Sequence, residues 1–222
     1  VNVWEGFEGA ACLASRCQCE APRDALIRQP VSFWSSLAYI VTALVLLRSV
    51  RVRSFEFKMW TGACLLLGVA SHLGHMSFTR LGLAFDFAAI VLILSFFALM
   101  NFLRPLRRSP AEILVAMVAY YGFLVLAMYS VADKWARVSI CISIFTLSVG
   151  DVARERGLTL FHSRNLKRSL IVLLVSFGFF VLDEAHVLCA PAGVFQFHAL
   201  WHLGTATALF FYGVWRFGEL RP

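Results

Sequence analysis

Long apolar blocks separated by short polar or charged clusters run along the whole chain. A bilayer core takes about 20 mostly apolar residues in helical form, so each block is measured against that length. Seven stand out. The first covers about Val31 to Leu47 and is followed by Arg48, Arg51, Arg53 and Lys58. The second covers about Met59 to Phe78, and the turn Thr79-Arg80-Leu81-Gly82 leads to the third, about Leu83 to Leu103. The run Arg104-Pro105-Leu106-Arg107-Arg108 combines a helix stop with a charge cluster. The fourth block is about Glu112 to Ser130. After a polar loop with Asp133, Lys134 and Arg137 comes the fifth, about Val138 to Val152, which is short. Arg154 to Gly157 and then Arg164, Lys167 and Arg168 precede the sixth, about Ser169 to Leu182. A loop with Cys189, Pro191 and Gly193 leads to the seventh, about Gln196 to Trp215. The pattern predicts an all-α polytopic membrane protein, a bundle of seven transmembrane helices. Residues 1–30 form a segment outside the bundle, 31–217 the bundle itself, and 218–222 a short tail.

Composition supports a membrane class. Of the 222 residues, 60% are hydrophobic and 15% charged, whereas soluble domains are about half apolar and a quarter charged. That excludes a soluble enzyme, a disordered chain and a disulfide-stapled miniprotein. The first thirty residues are mixed and polar, with no apolar core of a signal peptide. Charge then sets orientation. With the N-terminus outside, the inner loops and tail carry fourteen Lys and Arg and the outer segments six. The positive-inside bias predicts N-terminus out and C-terminus cytoplasmic. The net charge of +7 is therefore read as loop charge, with no nucleic-acid partner.

Ionisable side chains inside spans are costly and point to function. Here they are His72, His75, Asp86, His198 and His202. In the predicted topology His75 lies one turn below the outer end of the second span. Asp86 lies at a similar depth in the third, and His198 and His202 occupy the first two turns of the seventh. Ser71 is one turn below His75. Three helices thus place polar groups in one slab. His198 and His202, at i and i+4, share a helix face and can chelate one ion. Imidazole suits zinc, and a third histidine leaves an open position for water. Ser71, also at i−4 from His75, can hydrogen-bond in the same cavity, and Asp86 can orient a water and take its proton. Together these groups describe a hydrolase whose substrate enters from lipid.

Simpler structural roles exist for several of these residues taken singly. His72 is read first as a packing residue. Asp86 lies in the first turn of its span and can cap it. Ser71 can be a small interhelical contact beside Gly68 and Gly74. Asp183 and Glu184 end the sixth span and can be solvated, Trp201 can anchor at the interface, and Asp151 can pair with a nearby arginine. Among rival classes, a retinal protein needs a lysine in the last span and a serine protease a Gly-x-Ser-Gly element. Neither is present. A bis-histidine haem protein would leave the third histidine and Asp86 without a role. A zinc-stabilised seven-span receptor or scaffold without turnover stays open as the alternative.

The spacing Ser71, His75, Asp86, together with Phe195-Gln196-Phe197-His198-Ala199-Leu200-Trp201-His202, resembles the alkaline ceramidase family. That family lies in the superfamily of seven-span metal hydrolases that also holds adiponectin-receptor-like proteins. Cys19-Glu20 and Phe33-Trp34-Ser35-Ser36 match its opening pattern, and the likeness covers nearly the whole chain. The resemblance implies zinc held by His75, His198 and His202, with Ser71 and Asp86 around the catalytic water. It implies cleavage of the amide of ceramide, or a related N-acyl lipid drawn from the bilayer, to a sphingoid base and a fatty acid. It also implies a disulfide Cys19–Cys189; Cys12 and Cys17 fall on the same predicted outer side and can compete for that partner, whereas Cys64 and Cys141 sit inside spans as packing residues. Eukaryotic members carry an N-terminal calcium site. Of its ligands only Glu20 is clearly retained, with Ser32 near the place of a later Glu, so the likeness gives little ground for calcium dependence. The family's Asp-Glu-Leu-Pro segment is reduced here to Asp86-Phe87-Ala88-Ala89. These departures resemble a divergent bacterial branch and favour a bacterial inner membrane over an ER or Golgi membrane. Nothing in the sequence sets the oligomeric state.

Overall fold

The computed structural model describes residues 3–10, 18–51, 53–103, 109–131, 133, 136–144, 146 and 163–218. Those residues build helices and loops; among them the extended feature is an isolated antiparallel bridge between Gly9 and Thr79. The helices are α1 (Pro30–Ser35), α2 (Leu37–Ser49), α3 (Phe55–Ser77), α4 (Arg80–Leu103), α5 (Pro110–Ser130), α6 (136–144), α7 (Arg164–Glu184) and α8 (Phe197–Phe217). The Arg104–Arg108 cluster, Cys12, Cys17, Lys134, Asp151, Arg154, Glu155 and Arg156 lie outside the described residues, as does the end of the fifth apolar block after Thr146.

Most helices begin earlier than the apolar blocks, because capping side chains extend them into polar sequence. Ser54 accepts a hydrogen bond from Phe57 N at the start of α3. Ser109 and Glu112 form a reciprocal capping box at α5, with Pro110 inside the first turn. Ser163 accepts from Leu166 N and starts α7 five residues before its apolar block. Hydropathy marks what lipid can cover, whereas backbone hydrogen bonding decides where a helix starts. The first block becomes two helices, α1 and α2, which meet at Ser36.

Among the described residues, three helical stretches are long and apolar enough to cross a membrane: Pro30–Ser49, Pro110–Ser130 and Arg164–Glu184. They mark the chain as a membrane protein. Burial is inverted in the sense lipid requires. Val115, Leu126 and Leu174 are each about 70% exposed, while Ser71, His75, His202 and Asp183 are buried. With lipid as the surrounding solvent, apolar side chains lose nothing by facing outward and polar ones must find partners inside.

Packing runs in a chain of neighbours: α7 on α8, α8 on α2, α2 on α3, α3 on α4 and α4 on α5, with α1 wedged between α3 and α8. The core holds Trp60, Phe57, Phe96, Leu46 and Met128, and α6 adds Ile140 and Ile144 against it. Small residues bring the helices close. Gly68 lies against Ile40 of α2, Gly74 against Asp86 of α4, and Gly204 of α8 against Ser176 of α7. Ser169 Oγ also donates to Ala208 O at 2.8 Å across the last of these contacts.

The segment before α1 closes over one end of this bundle, where α3 turns into α4 and α7 into α8. Ala10 N donates to Phe78 O, Arg28 N to Met76 O and Gln29 N to His75 O. Ala21 N donates to Pro191 O in the α7–α8 loop, and the Cys19–Cys189 disulfide fastens the same two segments, Cα atoms 5.4 Å apart. Cys64 and Cys141 are free thiols.

Candidate metal centre

His75 stands in the last turn of α3, and His198 and His202 in the first two turns of α8. The fold brings them together beneath the N-terminal segment. Their ring centroids are 5.1 Å (His75–His198), 5.0 Å (His75–His202) and 4.6 Å (His198–His202) apart. One ligating nitrogen from each lies within 4.8 Å of the others, and all three residues are buried.

Hydrogen bonds around the rings decide which nitrogen faces inward. Gln29 Nε2 donates to Glu20 O at 2.8 Å, which turns Gln29 Oε1 toward His75 Nδ1 at 2.8 Å. A carbonyl oxygen only accepts, so His75 carries its proton on Nδ1 and its lone pair on Nε2. His75 Nε2 is buried without a partner. Ser35 Oγ donates to Ser32 O at 3.0 Å and lies 2.8 Å from His202 Nδ1, so it accepts from that nitrogen. His202 is thereby held in the same tautomer. Gln18 Nε2, an amide donor, lies 3.3 Å from His198 Nε2, which agrees with a lone pair there as well. Fixing imidazole tautomer and tilt through the second nitrogen is how proteins prepare histidines for a metal.

Two carboxylates flank the cluster. Asp183, in the last turn of α7, is fully buried. It accepts from Cys19 N and His198 N, each at 3.2 Å, and its Oδ2 lies 3.9 Å from His198 Nδ1. Asp86, six residues into α4, is buried against Gly74, the neighbour of His75. The Ser71 hydroxyl is buried with no well-formed hydrogen bond, and the Asp86 carboxylate is the polar group that reaches it. Asp86 itself is hydrogen-bonded to none of the three imidazoles. Among the described residues no lysine or arginine pairs with either carboxylate. Buried anions without a counter-charge are costly, and a divalent cation among the three imidazoles would balance both. The residues therefore fit a metal. Ligands on one tetrahedral zinc stand about 3.4 Å apart, so nitrogens within 4.8 Å of one another need to close by at most about 1.4 Å.

The remaining polar residues sort themselves by contact. His72 Nδ1 lies 2.9 Å from Gly68 O and 2.7 Å from Ser36 Oγ, and its ring stands 4.4 Å from Phe33. It packs the α1–α2 junction onto α3, as a structural histidine does. Trp201 packs on Phe180 at 5.4 Å, within the α7–α8 contact. Glu20 is fully buried, and its carboxylate accepts from Val31 N, Ser32 N and Ser32 Oγ at 2.7–2.8 Å. It caps the start of α1. Gln29, Ser35 and Asp183 carry no sequence motif that marks them as orienting groups. Asp183, which its place at a span end allowed to be solvated, is covered by the disulfide-bonded segment instead. No family model matches this chain, and no curated protein matches it either.

Proposed function

We propose that the protein is a zinc-dependent intramembrane hydrolase that cleaves the amide of ceramide or a related N-acyl lipid, releasing a fatty acid and a sphingoid base or other amine. The observation that carries this reading is the cluster of three buried imidazoles, two of them holding Nδ1 on a protein oxygen, beside the buried Asp86 carboxylate and Ser71 hydroxyl. His75, His198 and His202 would hold the metal, which when bound polarises a carbonyl and lowers the pKa of a water to about 7. Asp86 would hold a proton on its carboxylate and pass it to the amine nitrogen as the carbon–nitrogen bond breaks, the acyl carbon taking the hydroxyl of the attacking water. The Ser71 hydroxyl is a donor for the carbonyl oxygen as it gains charge. The N-terminal segment lies over the histidines and keeps bulk water from them. The likeness to alkaline ceramidases, carried by Ser71, His75 and Asp86 and by the stretch Phe195 to His202, supports the amide substrate.

The same reading extends to topology. In this reading a seven-span bundle holds residues 1–30 outside and residues 218–222 in the cytoplasm, and the centre would lie near the outer leaflet of a bacterial inner membrane. Reporter fusions in the loops after α2 and α3 test that orientation. The loop after α2 is expected inside and the one after α3 outside.

The deciding experiment uses protein purified in mild detergent. Bound zinc is measured in wild type and in His202→Ala, and each is incubated with ceramide and assayed for free fatty acid. Near-stoichiometric zinc, lost in the variant together with hydrolysis, is the expected result. Zinc without turnover on ceramide or other N-acyl lipids would turn the reading to the receptor or scaffold class. Wild type without zinc would overturn it.

A further inference from the structure

We infer that Asp183 is a positioning residue of the metal centre, which orients His198 and ties it to the disulfide-bonded N-terminal strap. The inference rests on the three-histidine metal reading above.

Asp183 sits where a carboxylate is least at ease. It is fully buried and lies in the last turn of α7, where the helix carbonyls already make the potential negative. Two backbone N–H groups are its hydrogen-bond donors, one from Cys19 and one from His198. Neither carries a full charge. The group toward which the remaining capacity of Oδ2 points is His198 Nδ1, at 3.9 Å. That is too long for a hydrogen bond but short for a charge in an apolar interior. A carboxylate there favours a proton on Nδ1, which leaves Nε2 to the metal and completes the set begun by Gln29 and Ser35. Of the three orienting groups it alone is a carboxylate, the kind of partner that also raises the donor strength of its histidine.

Asp183 has a plainer role as well. Gln196, the residue before α8, makes no side-chain cap, and Asp183 Oδ1 on His198 N fills that place from the neighbouring helix. The two roles separate in Asp183→Asn. Asparagine Oδ1 can still accept from His198 N and cap α8, but the amide has no charge to offer His198 and no second acceptor for Cys19 N.

Zinc affinity of the metal-free wild type and of Asp183→Asn is measured by competition with a chromophoric chelator, and the visible spectrum of each is recorded with Co2+. The expected result is a zinc Kd weaker by about 10–100-fold in the variant, with a shifted cobalt spectrum. Equal affinity and an unchanged spectrum would overturn the inference and leave the metal reading intact. A lowered melting temperature of the metal-free variant with wild-type metal binding would reduce Asp183 to a cap and overturn it too. Wild type that binds neither metal would overturn both readings. A second measurement avoids the variant: nitrogen-15 NMR of histidine-labelled, zinc-loaded wild type. His198 with a protonated Nδ1 is expected, and an unprotonated Nδ1 would sink the proposal.

Discussion

At the scale of single residues, the centre is defined by atoms that face away from it. His75 and His202 each spend Nδ1 on a protein oxygen, and the direction of each bond is dictated one step further out, by Glu20 O and Ser32 O. Gln29→Leu removes the acceptor from His75 and is expected to weaken zinc binding about 10–100-fold, read by chelator competition. Asp86→Asn is expected to keep its zinc and lose hydrolysis by about 10²–10⁴-fold, because it removes a proton acceptor rather than a ligand. A variant that lost metal and activity together would place Asp86 among the ligands. The three histidines were legible in the sequence because helical spacing and span depth are one-dimensional quantities. Their supporting groups were not. Gln29 and Ser35 are residue types that occur everywhere on surfaces, and their role exists only once α1 is laid between α3 and α8. Asp183 was open to a solvated reading for the same reason: its burial depends on a strap anchored elsewhere in the chain.

At the scale of helices, close approach is set by glycine. A Cβ on Gly204 would collide with the Ser176 hydroxyl, so Gly204→Val is expected to force α7 from α8. The cost is about 1–3 kcal/mol, typical of overpacking. Ser176→Gly in the same chain is expected to restore part of the loss, read as the thermal unfolding midpoint of single and double variants in detergent. A double variant no better than Gly204→Val would place the clash elsewhere. The apolar blocks located these helices well, since a run of lipid-compatible residues and a helix coincide in their middles. Their ends, and the meeting of α1 and α2 at Ser36, were not visible in hydropathy, because caps and turns are made by polar residues that the blocks exclude. That junction matters to the site: Ser35 and Ser36 flank it and reach His202 and His72 respectively.

At the scale of the whole molecule, the N-terminal segment joins the two halves of the centre. It contacts the end of α3 through Arg28 and Gln29 and the α7–α8 loop through Cys19 and Ala21. Replacing Cys19 and Cys189 by serine is expected to lower stability by about 2–4 kcal/mol. Dithiothreitol should reproduce that loss in wild type, since among the described residues Cys19–Cys189 is the disulfide it can reduce and Cys64 and Cys141 are free thiols. Wild type indifferent to reductant would mean that the hydrogen bonds alone hold the strap.

The distance along the chain between these partners has a consequence for how the protein is made. Cys189 leaves the ribosome 170 residues after Cys19. At about 5–20 residues per second, a nascent chain waits on the order of ten seconds between the two. From its own synthesis until after Cys189 has emerged, His75 lacks His198 and His202, which both follow Cys189 in the chain. A chain arrested before α8 holds one histidine of the three, so a truncated product cannot assemble the cluster. The cluster is completed only with the last hairpin, α7 to α8.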